Sequence, residues 1–457
     1  MTPLTYREVK VYDMRTWKRI HMIPDAEGYV LFFCDDISWK RITETEKNVI
    51  SEIQKGKSQA DICEYYPISE IEYEKLCDLL EEKGGHPEPK DAGRIKLTLN
   101  LANTCNMRCK YCYAHGGVYK SEESIMTKET AQAAVDFFMH KFDKISSIKF
   151  IGGEPLMNLD VLKFICEYIE DQKKKGKIKK VPSYIVNTNG TILTDEILEL
   201  INKYEMRVNF SLDGPGWMND QARIFVNGRG TSHIVEENIR KLQKATGGRC
   251  PTSVDAVYTQ RHVDQNVSVM DVIHYLKDEL HIPKVHVIPV DAKENSPFHL
   301  KNSQAYLDAV DEILKDYEGN KEYMFTLLKG MIARIRAKDI SPDNMCVGGT
   351  ELFSVSAAGK IYPCHLLTDV NTYYMGDVHD PDGSEDQFQK IYDLLKNYSR
   401  YSSETCRKCF GNKLCIGCLG GNNFRTGDGF KGDPFICSMF REIVEKIIVW
   451  EASEQKS

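Results

Sequence analysis

Apolar and polar residues alternate with period two in Ile95-Lys-Leu-Thr-Leu-Asn-Leu101, the pattern of a strand with one buried face. Further on, Thr127 reads as an N-cap, and Ala131, Ala134, Val135, Phe138, Met139 and Phe142 follow it at helical spacing. The two patterns keep alternating to about residue 290. Strands are predicted at 148–150, Ser183–Thr188, Arg207–Leu212, 253–258 and Lys284–Pro289. Helices are predicted at 159–171, 194–204, 233–245 and 267–279. Six β/α steps argue for an α/β fold with parallel strands and right-handed crossovers. Ahead of them, Arg7–Tyr12, Lys18–Ile23 and Tyr29–Cys34 read as three strands. Helices at 43–54, 58–66 and 69–83 follow, the last with Tyr73, Leu76, Cys77 and Leu80 on one face. The expected units are 1–84, a Gly/Pro-rich linker 85–94, the repeating core 95–300, a helical bridge 301–340 and a cysteine-rich end 341–457.

Composition removes several function classes. A length of 457 residues allows two or three domains, and 42% hydrophobic with 28% charged residues is ordinary for a globular protein. Net charge is −7, and the one lysine cluster, Lys173 to Lys180, fits a solvated helix end, so no nucleic-acid partner is expected. No stretch reaches membrane-spanning length, and Met1-Thr-Pro-Leu-Thr-Tyr-Arg-Glu8 lacks the apolar core of a signal peptide, so a cytoplasmic protein without a membrane partner is expected. In a reducing compartment fifteen cysteines point to metal or catalysis rather than disulfides, and their odd number agrees.

Three of these cysteines form Cys105-Asn-Met-Arg-Cys109-Lys-Tyr-Cys112. This C-x3-C-x2-C loop can hold a four-iron cluster while leaving one iron without a protein thiolate, a reactive arrangement. Zinc is the competing reading, with His115 near enough in sequence to be a fourth ligand. After the next predicted strand comes Gly152-Gly153-Glu154-Pro155. Two glycines let backbone approach a ligand, and Glu154 offers an acceptor to an ammonium. The triad, with Tyr111 before its third cysteine, and the later GGEP turn resemble the signatures of radical S-adenosylmethionine (SAM) enzymes.

The resemblance implies a partial (β/α)6 barrel with its ligands at the carboxyl ends of the strands. It implies that Tyr111 and Gly152 to Pro155 lie along SAM and that Asn187 and Asn189 lie near its ribose. Ser211-Leu-Asp213-Gly-Pro215 with Asn219-Asp220-Gln-Ala-Arg223 is similar to a stretch of the peptide-modifying members, which implies that Ser211, Asp213 and Arg223 hold ribose or the methionine carboxylate. The family usually has His where this chain has Asn219. Turn and capping chemistry is the alternative for these residues.

Beyond residue 340 lie Cys346 and Cys364, then Cys406-x2-Cys409-x5-Cys415-x2-Cys418 and, eighteen residues on, Cys437. This array resembles a SPASM domain, whose members carry two auxiliary clusters, giving three [4Fe-4S] clusters in all. The resemblance implies that Cys406, Cys409, Cys415 and Cys437 ligate an outer cluster and Cys346, Cys364 and Cys418 an inner one. Three thiolates would leave the inner cluster open to a substrate thiolate. A single zinc site on Cys406, Cys409, Cys415 and Cys418 is the alternative.

The N-terminal strands and helices resemble a winged-helix element that binds leader peptides by strand addition, with Tyr29, Leu31 and Phe33 on the accepting strand. Together these likenesses imply a thioether-forming maturase of cysteine-containing ribosomal peptides, of the sactipeptide and ranthipeptide group. Such an enzyme takes electrons from a donor such as flavodoxin or ferredoxin. Epimerisation, carbon–carbon crosslinking and formylglycine formation are alternatives on the same scaffold. A zinc-binding regulator is the alternative from another class. No general base is assigned from the sequence; Asp291, just past the sixth strand, is a candidate by position but fits a solvated loop acid better.

Overall fold

The computed structural model describes residues 17–81, 93–119, 121–338, 346–415 and 417–454. An antiparallel sheet opens it, with β1 (Ile20–Asp25), β2 (Gly28–Phe33) and β3 (Ser38–Ile42) in the order β1-β2-β3. Gly28 closes the first hairpin at φ +133°, where a Cβ would stand 2.9 Å from the Ile42 carbonyl oxygen. The segment Arg7–Tyr12 lies outside the described residues. Tyr29 to Phe33 is the central strand, so both its edges are already paired; the edges among the described residues are β1 and Ser38–Ile42, the second of which the sequence reading missed. The run Val30-Leu-Phe-Phe-Cys34 does not alternate because both faces are buried. Leu31 and Phe33 pack on α1 (Glu44–Gln54), α2 (Gln59–Tyr65) and α3 (Glu70–Leu80) in a core of their own, whereas Val30, Phe32 and Cys34 belong to the main core. Thr43 with Glu46, and Ser69 with Glu72, form capping boxes that start α1 and α3.

The barrel follows. Its elements are β4 (Arg94–Ala102), α4 (Lys128–Lys141), β5 (Lys144–Gly152), α5 (Leu159–Lys174), β6 (Ser183–Thr188), α6 (Asp195–Lys203), β7 (Arg207–Ser211), α7 (Gly216–Asn219), α8 (Ser232–Thr246), β8 (Thr252–Tyr258), α9 (Gln260–Asp264), α10 (Val269–His274) and β9 (Lys284–Pro289). All six strands pair in parallel in chain order. Thr127 caps α4 by accepting from the Thr130 N–H. In α5 the stripe Val161, Leu162, Ile165, Cys166 and Ile169 is buried on the sheet, each aliphatic contributing roughly 2 kcal/mol.

Two helices, α11 (Gln304–Lys315) and α13 (Thr326–Ala337), with the short α12 (Tyr317–Asn320) between them, lead away from the barrel. The cysteine-rich end then returns to it: β10 (Leu352–Val355) pairs in parallel with β4, and β11 (Lys360–Tyr362) and β12 (Gly376–Asp377) extend the same sheet antiparallel. The sheet therefore has nine strands, three beyond the six read from periodicity. After α14 (Pro381–Asn397), α15 (Glu404–Lys408) and α16 (Leu419–Thr426), α17 (Pro434–Glu454) packs on α11, α13 and all three N-terminal strands. Among the described residues no helix is long and apolar enough to cross a membrane.

Candidate active site and cysteine groups

The carboxyl ends of the barrel strands enclose a cavity of about 310 Å³. The loop after β4 supplies Cys105, Cys109, Tyr111 and Cys112; the end of β5 supplies Gly152 and Gly153; β6 and β7 supply Asn187, Asn189 and Ser211. Thr188, Asp255, Val257 and Ile288, which periodicity marked only as strand residues, complete its walls.

Two backbone segments meet here without side chains between them. A Cβ on Gly153 would stand 2.1 Å from the Thr104 oxygen and 2.9 Å from the Gly117 Cα. The glycines of the GGEP turn thus let it lie against the cysteine loop as well as against a ligand. The Gly153 N–H donates to Ala102 O at 2.7 Å and the Glu154 N–H to Thr104 O at 3.0 Å.

The Glu154 carboxylate is fully buried and faces away from the cavity. Its oxygens accept from the Thr188 hydroxyl at 2.7 Å, the Asn189 N–H at 2.7 Å and the Leu156 N–H at 3.1 Å. Burial raises its pKa to about 7, with those three donors pulling it back down. Pro155 likewise stays out of the cavity wall, as the first residue of a short 3-10 turn. Asn189 places its amide nitrogen 2.9 Å from Asn106 Oδ1 and 3.6 Å from Cys105 Sγ, so its side chain serves the cysteine loop.

Asp213 is also behind the wall. It accepts from the Tyr111 hydroxyl and, at 3.0 Å, from the Val257 N–H. The Asp213 carbonyl accepts from His262 Nε2 at 2.8 Å, while His262 Nδ1 accepts from the Thr259 N–H at 3.2 Å; these partners assign a neutral imidazole, in line with burial lowering its pKa. Arg223 donates through Nη1 to the Tyr111 hydroxyl at 3.0 Å. Its Nε is buried without a partner, as is Asn187 Oδ1. Both residues line the cavity, though these two atoms are themselves closed off from it. Asn219, fully buried, accepts from the Asp213 N–H at 3.2 Å and so fixes that turn.

The three thiols of the first loop lie close enough to act on one another. Burial pushes Cys109 up to about 11, with Cys112 and Cys105 adding to the rise and Arg223 opposing it. Among the described residues, no three Cys, His, Asp or Glu side chains gather tightly enough to ligate a single ion. Tetrahedral zinc at about 2.3 Å per Zn–S bond needs sulfurs within about 4 Å of each other. A wider four-iron cluster fits the donors present.

The remaining cysteines separate into two groups. Cys364 lies beside Cys346 and Cys418, and burial and these neighbours raise its pKa. The sulfurs of Cys346 and Cys418 accept from the Gly348 and Gly421 N–H groups, each at 3.3 Å, and Cys418 is exposed. The second group brings Cys415 beside Cys437, Cys409 and Cys406, and burial raises Cys415 to about 11. The loop of this group has its carbonyls held by arginines: Arg400 donates to Cys415 O at 3.1 Å and Arg334 to Leu414 O at 3.1 Å. Four convergent thiols fit a closed cluster, three a cluster with one position open.

The three-thiol group adjoins the cavity. His365 and Leu366, next to Cys364, line it beside the first cysteine loop, where Tyr113 packs edge-on against His365 at 6.2 Å. Burial lowers the His365 pKa to about 3. Asp291 lines the same wall and accepts from Arg425 Nη2 at 2.6 Å, so it is a paired acid rather than a solvated one; burial raises its pKa and Arg425 opposes the rise.

Residues 99–260 match the model of the Radical SAM superfamily. The chain is 23% identical over 369 residues to a cysteine-type anaerobic sulfatase-maturating enzyme of Clostridium novyi (strain NT), across 76% of this chain and 93% of that one. Native anSMEcpe with bound AdoMet is similar in structure, with a TM-score of 0.64 and 20% identity over 79% of this chain and 97% of that one. Streptococcus suis SuiB bound to precursor peptide SuiA is also similar, with a TM-score of 0.52 and 15% identity over 90% of this chain and 97% of that one. At these identities the two structures speak for the fold.

Proposed function

We propose that this chain, which carries a radical SAM superfamily domain over residues 99–260, joins cysteine sulfurs to carbon atoms in a ribosomally made precursor peptide. The observation that carries the reading is the position of the cavity. The loop of Cys105, Cys109 and Cys112 lines it, and so do His365 and Leu366, the neighbours of Cys364 in the three-thiol group of Cys346, Cys364 and Cys418. A substrate in this space would have hydrogen abstraction and a sulfur-binding centre both at hand.

Cys105, Cys109 and Cys112 would hold the first cluster. Gly152, Gly153, Asn187, Ser211 and Arg223 would line SAM, the Arg223 guanidinium being the cation suited to its carboxylate. Together the cluster and SAM supply, when bound, a 5′-deoxyadenosyl radical that removes a hydrogen atom from the peptide. Tyr111 and Asp213 brace Arg223, and Glu154 locks the β5 and β6 ends behind it. The inner group has three thiols against the outer group's four, leaving its last position to the substrate's sulfur. Tyr113, His365 and Leu366 shut water out between the two centres.

A peptide substrate is supported by the likeness to the peptide-bound structure, which spans more of this chain than the sulfatase-maturase likeness does. The β3 strand would offer an edge to a leader strand, whereas β2 is paired on both sides. Maturation of a sulfatase cysteine is the second reading, favoured by the Clostridium relative.

Anaerobic coexpression with the cysteine-rich peptide encoded beside this gene tests both. Thioether formation predicts loss of two hydrogens per crosslinked cysteine and thiols that no longer alkylate. Lost hydrogens with every thiol still free would overturn it, as would loss of the cysteine sulfur itself, the outcome of the second reading.

A further inference from the structure

The N-terminal sheet does not hang beside the rest of the chain. Its β1 strand lies on the loop that carries Cys406, Cys409 and Cys415, and Arg19, just before β1, reaches into that loop. Arg19 Nη1 donates to Arg407 O at 2.9 Å and to Cys409 O at 3.4 Å, and Nη2 donates to Asn412 Oδ1 at 2.9 Å. Asp35 grips the same guanidinium through both oxygens, at 2.6 and 3.1 Å. Two residues on, His21 stacks on Phe410 at 3.8 Å and 3° and pairs with Glu445 at 2.7 Å. A planar five-donor fork can hold two carbonyls, an amide and a carboxylate together; an ammonium cannot.

We infer that Arg19 is a positioning residue for the outer four-thiol site and that, with Asp35, it helps set the charge that site feels. The inference rests on reading Cys406, Cys409, Cys415 and Cys437 as ligands of an iron–sulfur cluster. Reduction adds negative charge to a cluster, so a nearby cation favours the reduced form and a nearby anion opposes it. Arg19 and Asp35 carry opposite charges beside a site that Arg400 and Arg441 also act on. Removing the Arg19 cation lowers the potential; neutralising Asp35 raises it. A residue that only glued two surfaces together would give no such opposition. The consequence for function is a link between two sites: the sheet that would receive a leader strand is the one that holds the outer loop, so a peptide added at β3 acts on a body already joined to the electron route.

The test is anaerobic redox titration of the reconstituted full chain, followed by electron paramagnetic resonance. Arg19→Gln is expected to move the midpoint of one iron–sulfur signal downward and Asp35→Asn to move the same signal upward, with the other signals in place. Two unchanged midpoints, or shifts of the same sign, would overturn the inference. Should Arg19→Gln load too little iron to titrate, Asp35→Asn carries the test alone, and a midpoint that stays or falls in that variant would overturn the inference. Cys409→Ala separates this failure from that of the underlying reading. If that variant keeps the full iron content, the four thiols are not cluster ligands and the inference falls with them.

Discussion

The first cysteine loop and the outer four-thiol group use the same side chain to opposite ends. Around Cys105, Cys109 and Cys112 the protein leaves things undone: Arg223 Nε and Asn187 Oδ1 lack partners, and the thiols line a cavity. Around Cys406, Cys409, Cys415 and Cys437 the loop carbonyls are held by Arg19, Arg334 and Arg400, while the Asn412 amide nitrogen is likewise buried without a partner. Unpaired buried polar atoms cost free energy wherever they lie. The difference teaches that neither thiol count nor polar satisfaction separates the two groups; the first loop lines the cavity and the four outer thiols do not.

The contrast can be broken at its strongest point first. Cys109→Ala should abolish SAM cleavage, a loss of about a thousandfold or more in deoxyadenosine formed. Cys406→Ala should leave that cleavage within a few-fold, by the same assay, while crosslinking of the peptide disappears. If the two variants lose cleavage equally, the division of labour is wrong. Gly153→Ala forces a Cβ to 2.1 Å from Thr104 O, and backbone there must move. A displacement near 1 Å should cost about a hundredfold in SAM cleavage with the fold intact by circular dichroism. Arg223→Lys keeps a cation but loses the fork, and should weaken SAM binding about tenfold in equilibrium dialysis.

The smallest effect tests the wall behind the cavity. Glu154 is protonated in the fold up to about pH 7 but ionises near 4.5 when exposed. Folding therefore takes up a proton between those values, and stability falls as pH rises through that window, by on the order of 3 kcal/mol. Glu154→Gln should flatten this slope in melting curves between pH 5 and 8; an unaltered slope would put the carboxylate in contact with solvent or with SAM.

Much of this was legible in the residues because period-two and period-3.6 patterns survive wherever one face is buried. The β6 and β9 strands fall where they were read, and the α1, α2 and α3 helices differ from their readings by only a few residues. Two failures have physical causes. Leu352–Val355 is four residues long, too short to show a period, so the strand that extends the barrel sheet past β4 was invisible. Tyr29 to Cys34 looks like a strand awaiting a partner because its neighbour Ser38-Trp-Lys-Arg-Ile42 has weak alternation; only pairing shows which of them is the edge. In the site, the family resemblance marked Glu154 and Asp213 as ligand contacts. Their bonds to Thr188, Val257 and Tyr111, which come from other strands and loops, leave no local trace.

The pairing of Lys96 with Leu352 and of Leu99 with Val355 has a consequence in time. The β4 strand leads straight into the first cysteine loop, yet one of its two neighbours in the sheet is made only after most of the chain has left the ribosome. Non-local pairing of this kind is slow and exposes an unpaired strand while it waits. The nascent chain thus carries the thiols of the first loop beside an unfinished sheet edge until Leu352–Val355 has been made.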